Sequence, residues 1–147
     1  IIVSSAPQIR YPDCYGIDMA NLESLIAFNA ALALLKEKNK SSLIKDIYQK
    51  CKEELKLVDA EMQNQVKKIY NQFSYDEISK KITEILSSDI IESEVKIIFQ
   101  PIENLHKACP NSKGDWYFTG DYPTDGGNRV VNTAFVNYYE GNKKRAY

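Results

Sequence analysis

This chain has no excess of charge of either sign: 19 Lys and Arg stand against 20 Asp and Glu in 147 residues, a net charge of −1. Without a basic surplus there is nothing to neutralise a run of phosphates, so nucleic-acid binding is not expected. Long apolar runs are also missing. The longest, Leu25–Leu35, is interrupted by Asn29 and falls short of the ~20 residues that cross a bilayer, so no membrane span is expected. There is a single histidine, His106, which leaves little scope for a Ser–His–Asp triad. The three cysteines, Cys14, Cys51 and Cys109, are odd in number and contain no C-x-x-C. Free thiols in a reducing cytoplasm are expected, with no metal knuckle and no disulfide framework. The opening Ile1-Ile2-Val3 lacks the basic region of a signal peptide. It reads as a core strand entered at full stride, so we expect the chain to be part of a longer polypeptide or a processed product.

What is present is ordinary for a globular domain. Hydrophobic residues make up 44% and charged residues 27%, which argues against wholesale disorder and fits one domain or part of one.

Residues 1–4 read as a buried parallel-type strand and Ser5–Ala20, with Pro7, Pro12 and Gly16, as a loop. Asn21 can cap a helix reaching Lys38 that is apolar nearly all round, the mark of burial on most sides. After the polar break Asn39–Ser42, Leu43, Ile44, Ile47, Tyr48, Cys51 and Leu55 give a second helix. Asp59 can cap a third, carrying Met62, Val66, Ile69, Tyr70 and Phe73. Ser74-Tyr75-Asp76-Glu77 has the form of a capping box before a fourth, with Ile78, Ile82, Ile85 and Leu86. The outer faces of these helices are charged, as a solvated helical segment requires.

Glu94–Gln100 is β-branched and aromatic, hence a strand, and Pro101 opens a short helix that ends before Pro110. Asp115–Thr119 reads as strand or extended chain, 120–127 as a loop, and Asn128–Glu140 as a last helix stopping at Gly141.

Few groupings suggest chemistry. His106 on a short helix is either a surface residue or, less favoured, a base. Gly126-Gly127-Asn128 either cradles an anion at a helix start or makes an ordinary turn. Trp116, Tyr117, Phe118, Tyr122, Tyr138 and Tyr139 form either a binding platform or packing surface.

Two ordered motifs carry more. The stretch Ser4-Ser5-Ala6-Pro7-Gln8-Ile9-Arg10-Tyr11-Pro12-Asp13-Cys14-Tyr15-Gly16-Ile17-Asp18-Met19, followed by Glu23-Ser24-Leu25-Ile26-Ala27, contains P-x-x-Y-G-I-D and E-x-L-I-A. About 100 residues later comes Phe118-Thr119-Gly120-Asp121-Tyr122-Pro123-Thr124. Together they resemble the late part of the amidophosphoribosyltransferases, which carry F-T-G-x-Y-P-T at the second place. The resemblance covers residues 1–38 and 94–124.

The fold class this implies is α/β and helix-rich: the C-terminal fragment of a type I phosphoribosyltransferase domain. Residues 1–38 and 94–147 are the family-like part, and 39–93 a peripheral helical insertion. The implied parent is a glycosyltransferase that makes 5-phosphoribosylamine from phosphoribosyl pyrophosphate and glutamine, the committed step of purine synthesis. Ammonia from a glutaminase domain crosses a tunnel to the transferase site. The nucleophilic cysteine and the phosphoribosyl pyrophosphate loop have no counterpart in these residues. No catalytic residue is therefore expected here, and the isolated chain should be inactive.

By resemblance, Tyr15, Gly16, Ile17, Asp18 and Leu25 lie at the interdomain ammonia tunnel. Mg²⁺ belongs with the parent's phosphate-binding part, and none is expected on this chain. Some members bind an iron–sulfur cluster through a cysteine after the Pro of the first motif and a C-x-x-C before F-T-G. Asp13 stands at the first place and Gly114, Asp115, Trp116 and Tyr117 at the second, so no cluster is expected. The implied partners are the glutaminase and phosphate-binding parts of the same polypeptide, small-molecule substrates and further copies in a homo-oligomer. The alternative is a non-catalytic helical interaction module derived from the same tail.

Overall fold

The computed structural model describes residues 2–13, 18–87, 94–112 and 114–147. Its elements in chain order are β1 (Ile2–Val3), α1 (Ile26–Glu37), α2 (Ser42–Glu54), α3 (Lys67–Tyr70), α4 (Tyr75–Leu86), β2 (Ile97–Ile98), α5 (Ile102–Ala108), α6 (Trp116–Thr119) and α7 (Asp125–Tyr139).

The helix-rich expectation holds. The α/β expectation does not extend to a layered sheet: among the described residues the sheet is one parallel pair, β1 on β2, in register Ile2 to Ile97 and Val3 to Ile98. The pairing fades into two further backbone bonds, Ser4 N–H to Ile98 O (2.8 Å) and Gln100 N–H to Ala6 O (3.3 Å). The expected strand over Glu94–Gln100 shrinks to two residues because β1 is its only ladder partner among the described residues.

One core holds α1, α2, α3, α4 and α7 together. Ala27, Phe28, Ala30, Ala31, Leu34 and Leu35 bury the whole inner width of α1, as its apolar circumference demands. That helix packs chiefly on α4, which supplies Ile78 and Ile82, while α2 packs on α7. Phe28 meets Phe135 and Tyr138 edge-on, with ring centroids 6.2 and 5.0 Å away, the arrangement that sets a positive ring edge against a negative face. Over residues 39–87 the charged faces point outward, while Ile47, Cys51, Val66, Ile69, Tyr70, Ile78 and Ile82 enter the same core as α1 and α7.

Helix ends follow local chemistry. Ser74 and Glu77 close the capping box at α4 reciprocally. After α1, Asn39 takes a left-handed φ of 55°. The Asn39 and Lys40 amides then return to Lys36 O and Leu35 O, a Schellman ending with asparagine in place of glycine. Gly141 (φ 66°) does the same for α7.

Three expectations are corrected. Asn21 caps only a short 3-10 turn, Leu22–Ser24, accepting from Glu23 N–H at 3.0 Å; Leu25 is extended and α1 starts at Ile26. The third helix splits into a 3-10 turn at Asp59–Glu61 and the short α3. Between them the chain crosses α7, and side chains satisfy its backbone: Asn128 Nδ2 donates to Met62 O (2.7 Å), and Asn132 Nδ2 donates to Gln63 O (2.8 Å) while its Oδ1 accepts from Gln65 N–H (3.2 Å). Finally, 116–119 is helix rather than strand. Thr119 Oγ1 bonds back to Asp115 O (3.2 Å), and Gly120 ends the turn at φ 72°.

Candidate functional site where the two motifs meet

Of the tunnel residues expected from the sequence, Tyr15, Gly16 and Ile17 lie outside the described residues. Asp18 begins a short 3-10 turn, Asp18–Ala20. Leu25 is in the core at 6% exposure and also lines a small hollow of about 280 Å³ beneath the 4–9 loop. Pro7, Ile9, Met19, Ile82 and Phe99 share that lining. No ionisable side chain is among the described residues that line it. Such a hollow can hold or pass a small neutral molecule, but it offers no acid or base.

Beside it the two motifs are bonded to one another. The Arg10 and Tyr11 amides both donate to Tyr117 O, at 2.8 and 3.1 Å. Tyr122 Oη donates to Pro12 O, and Trp116 Nε1 donates to the Asp13 carboxylate. The αL turn at Gly120 lies flat on Tyr11: a Cβ there would meet the Tyr11 ring at 2.8 Å, so the glycine of F-T-G is required by contact as well as by φ.

The first motif is anchored from behind as well. Gln8 is 1% exposed. Its Nε2 donates to Tyr75 O (3.0 Å) and Ser79 Oγ (2.7 Å), while its Oε1 accepts from Arg10 Nε (3.0 Å) and Nη2 (2.8 Å). The Arg10 guanidinium sits over the Tyr70 and Tyr75 rings, 5.2 and 5.1 Å from their centroids. Burial pushes the Tyr70 phenol far above its ordinary range, so Tyr70 stays a neutral donor to Arg10 O at 2.6 Å. Sequence reading gave no role to Gln8, Arg10, Tyr70 or Tyr75. The signal was a Gln and an Arg within residues 6–12, which are otherwise Ala, Pro, Ile and Tyr.

The other groupings resolve into structure. Nε2 of His106 meets Asp115 Oδ2 at 2.9 Å, tying α5 to the start of α6 at a half-exposed site. Gly126 and Gly127 lie inside the first turn of α7, not ahead of it, and Gly127 N–H is taken by Thr124 O. The aromatics do not gather: Tyr138 packs on Phe28, Tyr139 stacks on Tyr48 at 4.1 Å, and Trp116 stacks on Tyr117 at 5.7 Å. A larger open hollow of about 780 Å³ between α4 and residues 94–99 is lined by none of the residues through which the two motifs bond. Among the described residues no three His, Cys, Asp or Glu side chains converge as a metal site would need, and no helix is long and apolar enough to cross a membrane. No family model, curated protein or solved structure matches the chain.

Proposed function

We propose that this chain is the C-terminal part of the type I phosphoribosyltransferase domain of an amidophosphoribosyltransferase, with 39–93 a helical insertion. The observation that carries the reading is the contact between the motifs. The two stretches that bear the resemblance lie 103 residues apart at Asp13 and Trp116, yet hydrogen-bond to each other directly. In cluster-binding members these same two stretches supply cysteines to one iron–sulfur centre, so proximity is what the resemblance requires. Here an indole–carboxylate bond stands at that place, and no cluster is proposed.

Two further features support the reading. Parallel sheets are normally covered on both faces, and a pair as short as β1–β2, with Val3 68% and Ile98 43% exposed, suits the edge of a larger sheet completed by the rest of the polypeptide. The hollow at Leu25 suits ammonia, because apolar walls exclude water and favour the neutral species over ammonium. In this reading the chain supplies walls and contacts. The chemistry, and the Mg²⁺ that accompanies phosphoribosyl pyrophosphate, belong to the glutaminase and phosphate-binding parts. The described residues do not fit a metal centre.

The test is to assay the full-length protein for phosphoribosylamine from phosphoribosyl pyrophosphate, with glutamine or with ammonia as nitrogen source. Formation with both supports the proposal; formation with neither defeats it. The isolated 147-residue chain should show neither activity.

A further inference from the structure

We propose that α3 and α4 are the anchor that positions the 4–9 loop as a wall of the Leu25 hollow, with Gln8 and, next to that loop, Arg10 as the positioning residues. The ammonia-passage part rests on the functional reading above; the anchoring part does not.

The contacts are specific and belong to separate helices. Every polar group of the Gln8 side chain is engaged, and the Gln8 backbone N–H donates to Tyr75 Oη at 3.1 Å. Tyr75 Oη in turn donates to Gln100 O at 3.1 Å, so one phenol ties the loop after β1 to the chain leaving β2. Tyr70, on α3, holds the Arg10 carbonyl and faces its guanidinium. Ser79, one turn after Tyr75 on α4, holds Gln8. Ile82 follows on the same helix and lines the hollow itself, beside Leu25 and Phe99. Helix α4 therefore supplies both the part of the clamp that holds Gln8 and a wall of the space that the loop closes.

Arginine is needed for this clamp. Only a planar fork can place two N–H groups on one amide oxygen while its face lies against aromatic rings. A buried glutamine with all its groups spent also has one place to sit, so the loop's position is fixed from the helical side. Helices α3 and α4 thereby hold in place a loop whose continuation, at Arg10–Asp13, bonds the second motif.

The test uses the full-length protein with Arg10→Met, Arg10→Lys and Tyr75→Phe. Tyr75→Phe keeps the ring and removes only the hydroxyl, so it carries the test if Arg10→Met fails to fold. Hydrogen exchange at the Gln8, Arg10 and Tyr11 amides should accelerate about tenfold or more, while amides of α7 keep their protection. The ratio of glutamate released to phosphoribosylamine formed should rise at least about twofold, with ammonia-dependent activity retained. Arg10→Lys, which keeps charge but not the fork, should fall between wild type and Arg10→Met. Unchanged exchange at the loop overturns the anchor. Faster exchange with an unchanged ratio, in a protein that does make phosphoribosylamine, keeps the anchor and overturns the ammonia-passage part, because the loop would then loosen without consequence for the hollow. A protein that makes no phosphoribosylamine at all defeats the functional reading instead. The exchange result then decides alone whether the helices position the loop.

Discussion

Trp116 gives its indole N–H to the carboxylate of Asp13, an acid that is only 5% exposed. The Asp13 amide meanwhile donates to Met19 O at 2.9 Å, so backbone and side chain of one residue pin the end of the first motif. A buried carboxylate persists only where donors meet it, and an indole is a donor and nothing else.

Trp116→Phe removes the donor and keeps an aromatic ring. It should destabilise the protein by about 1–3 kcal/mol, the cost of leaving a buried acceptor short of a partner. Asp13→Asn keeps an acceptor oxygen and should cost less. Urea denaturation of the two variants checks the order; a Trp116→Phe protein as stable as wild type shows that the bond contributes nothing.

The adjacent glycines of α7 should respond with opposite signs. A Cβ on Gly126 meets nothing within 4 Å, so Gly126→Ala should stabilise by up to about 1 kcal/mol through helix propensity. A Cβ on Gly127 would lie 2.3 Å from Tyr122 Cβ, an atom fixed to the backbone that cannot swing aside. Gly127→Ala should therefore destabilise by about 1–3 kcal/mol, as overpacking does. Thermal melting of the two variants is the measurement.

These positions mark how far the sequence could be read. The capping box at Ser74 and Glu77, the apolar girth of α1 and the stop at Gly141 were all legible, because each depends on residues within one or two turns. The 115–119 stretch was not. Its aromatic run has strand propensity, but it folds as a helical turn whose Tyr117 carbonyl serves two amides from the first motif, a non-local demand that overrides propensity. The break after Glu61 was equally hidden, since it depends on Asn128 and Asn132 more than 60 residues away. Leu25 was legible as a candidate only through the family resemblance. The anchor behind it, Gln8 and Arg10 on Tyr70 and Tyr75, needs helices that no local pattern brings together.

Acid should weaken α4 at its start. The Glu77 carboxyl is lowered to about 2 from the ordinary 4.5, first by its bond to Lys38 and then by the Ser74 amide and hydroxyl. Because the folded-state value is depressed, this contribution is present above pH 4.5 and is lost as the pH falls towards 2. The pair is exposed, so the effect is small. In Glu77→Gln the stability profile over that interval should be flatter than in wild type; parallel profiles would refute the assignment.

Thiol chemistry should divide by burial. Desolvation, followed by the charge of Glu54, pushes the Cys51 thiol from 9.0 up to about 12, while Cys109 is exposed. With the folded value raised, the protonated thiol favours the native state below pH 9, and that contribution is lost as the pH rises towards 12. In a Cys14→Ser background, a disulfide reagent at neutral pH should label Cys109 at once and Cys51 only on unfolding. Rapid labelling of both would mean that the core opens at α2.

Leu25 has two roles that one substitution can separate. It is buried with Leu22 and Phe28, and it faces the hollow. Leu25→Ala should cost about 2–5 kcal/mol for the lost packing, whatever the hollow does. Leu25→Met keeps the volume and should cost less than about 1.5 kcal/mol. If the hollow passes ammonia, Leu25→Ala in the full-length protein admits water and lets ammonia escape as ammonium. Glutamate release then exceeds phosphoribosylamine formation, activity with external ammonia persists, and Leu25→Met remains coupled. If glutamine- and ammonia-dependent activities instead fall together, in step with the loss of thermal stability, Leu25 serves packing alone and a passage through this hollow is refuted.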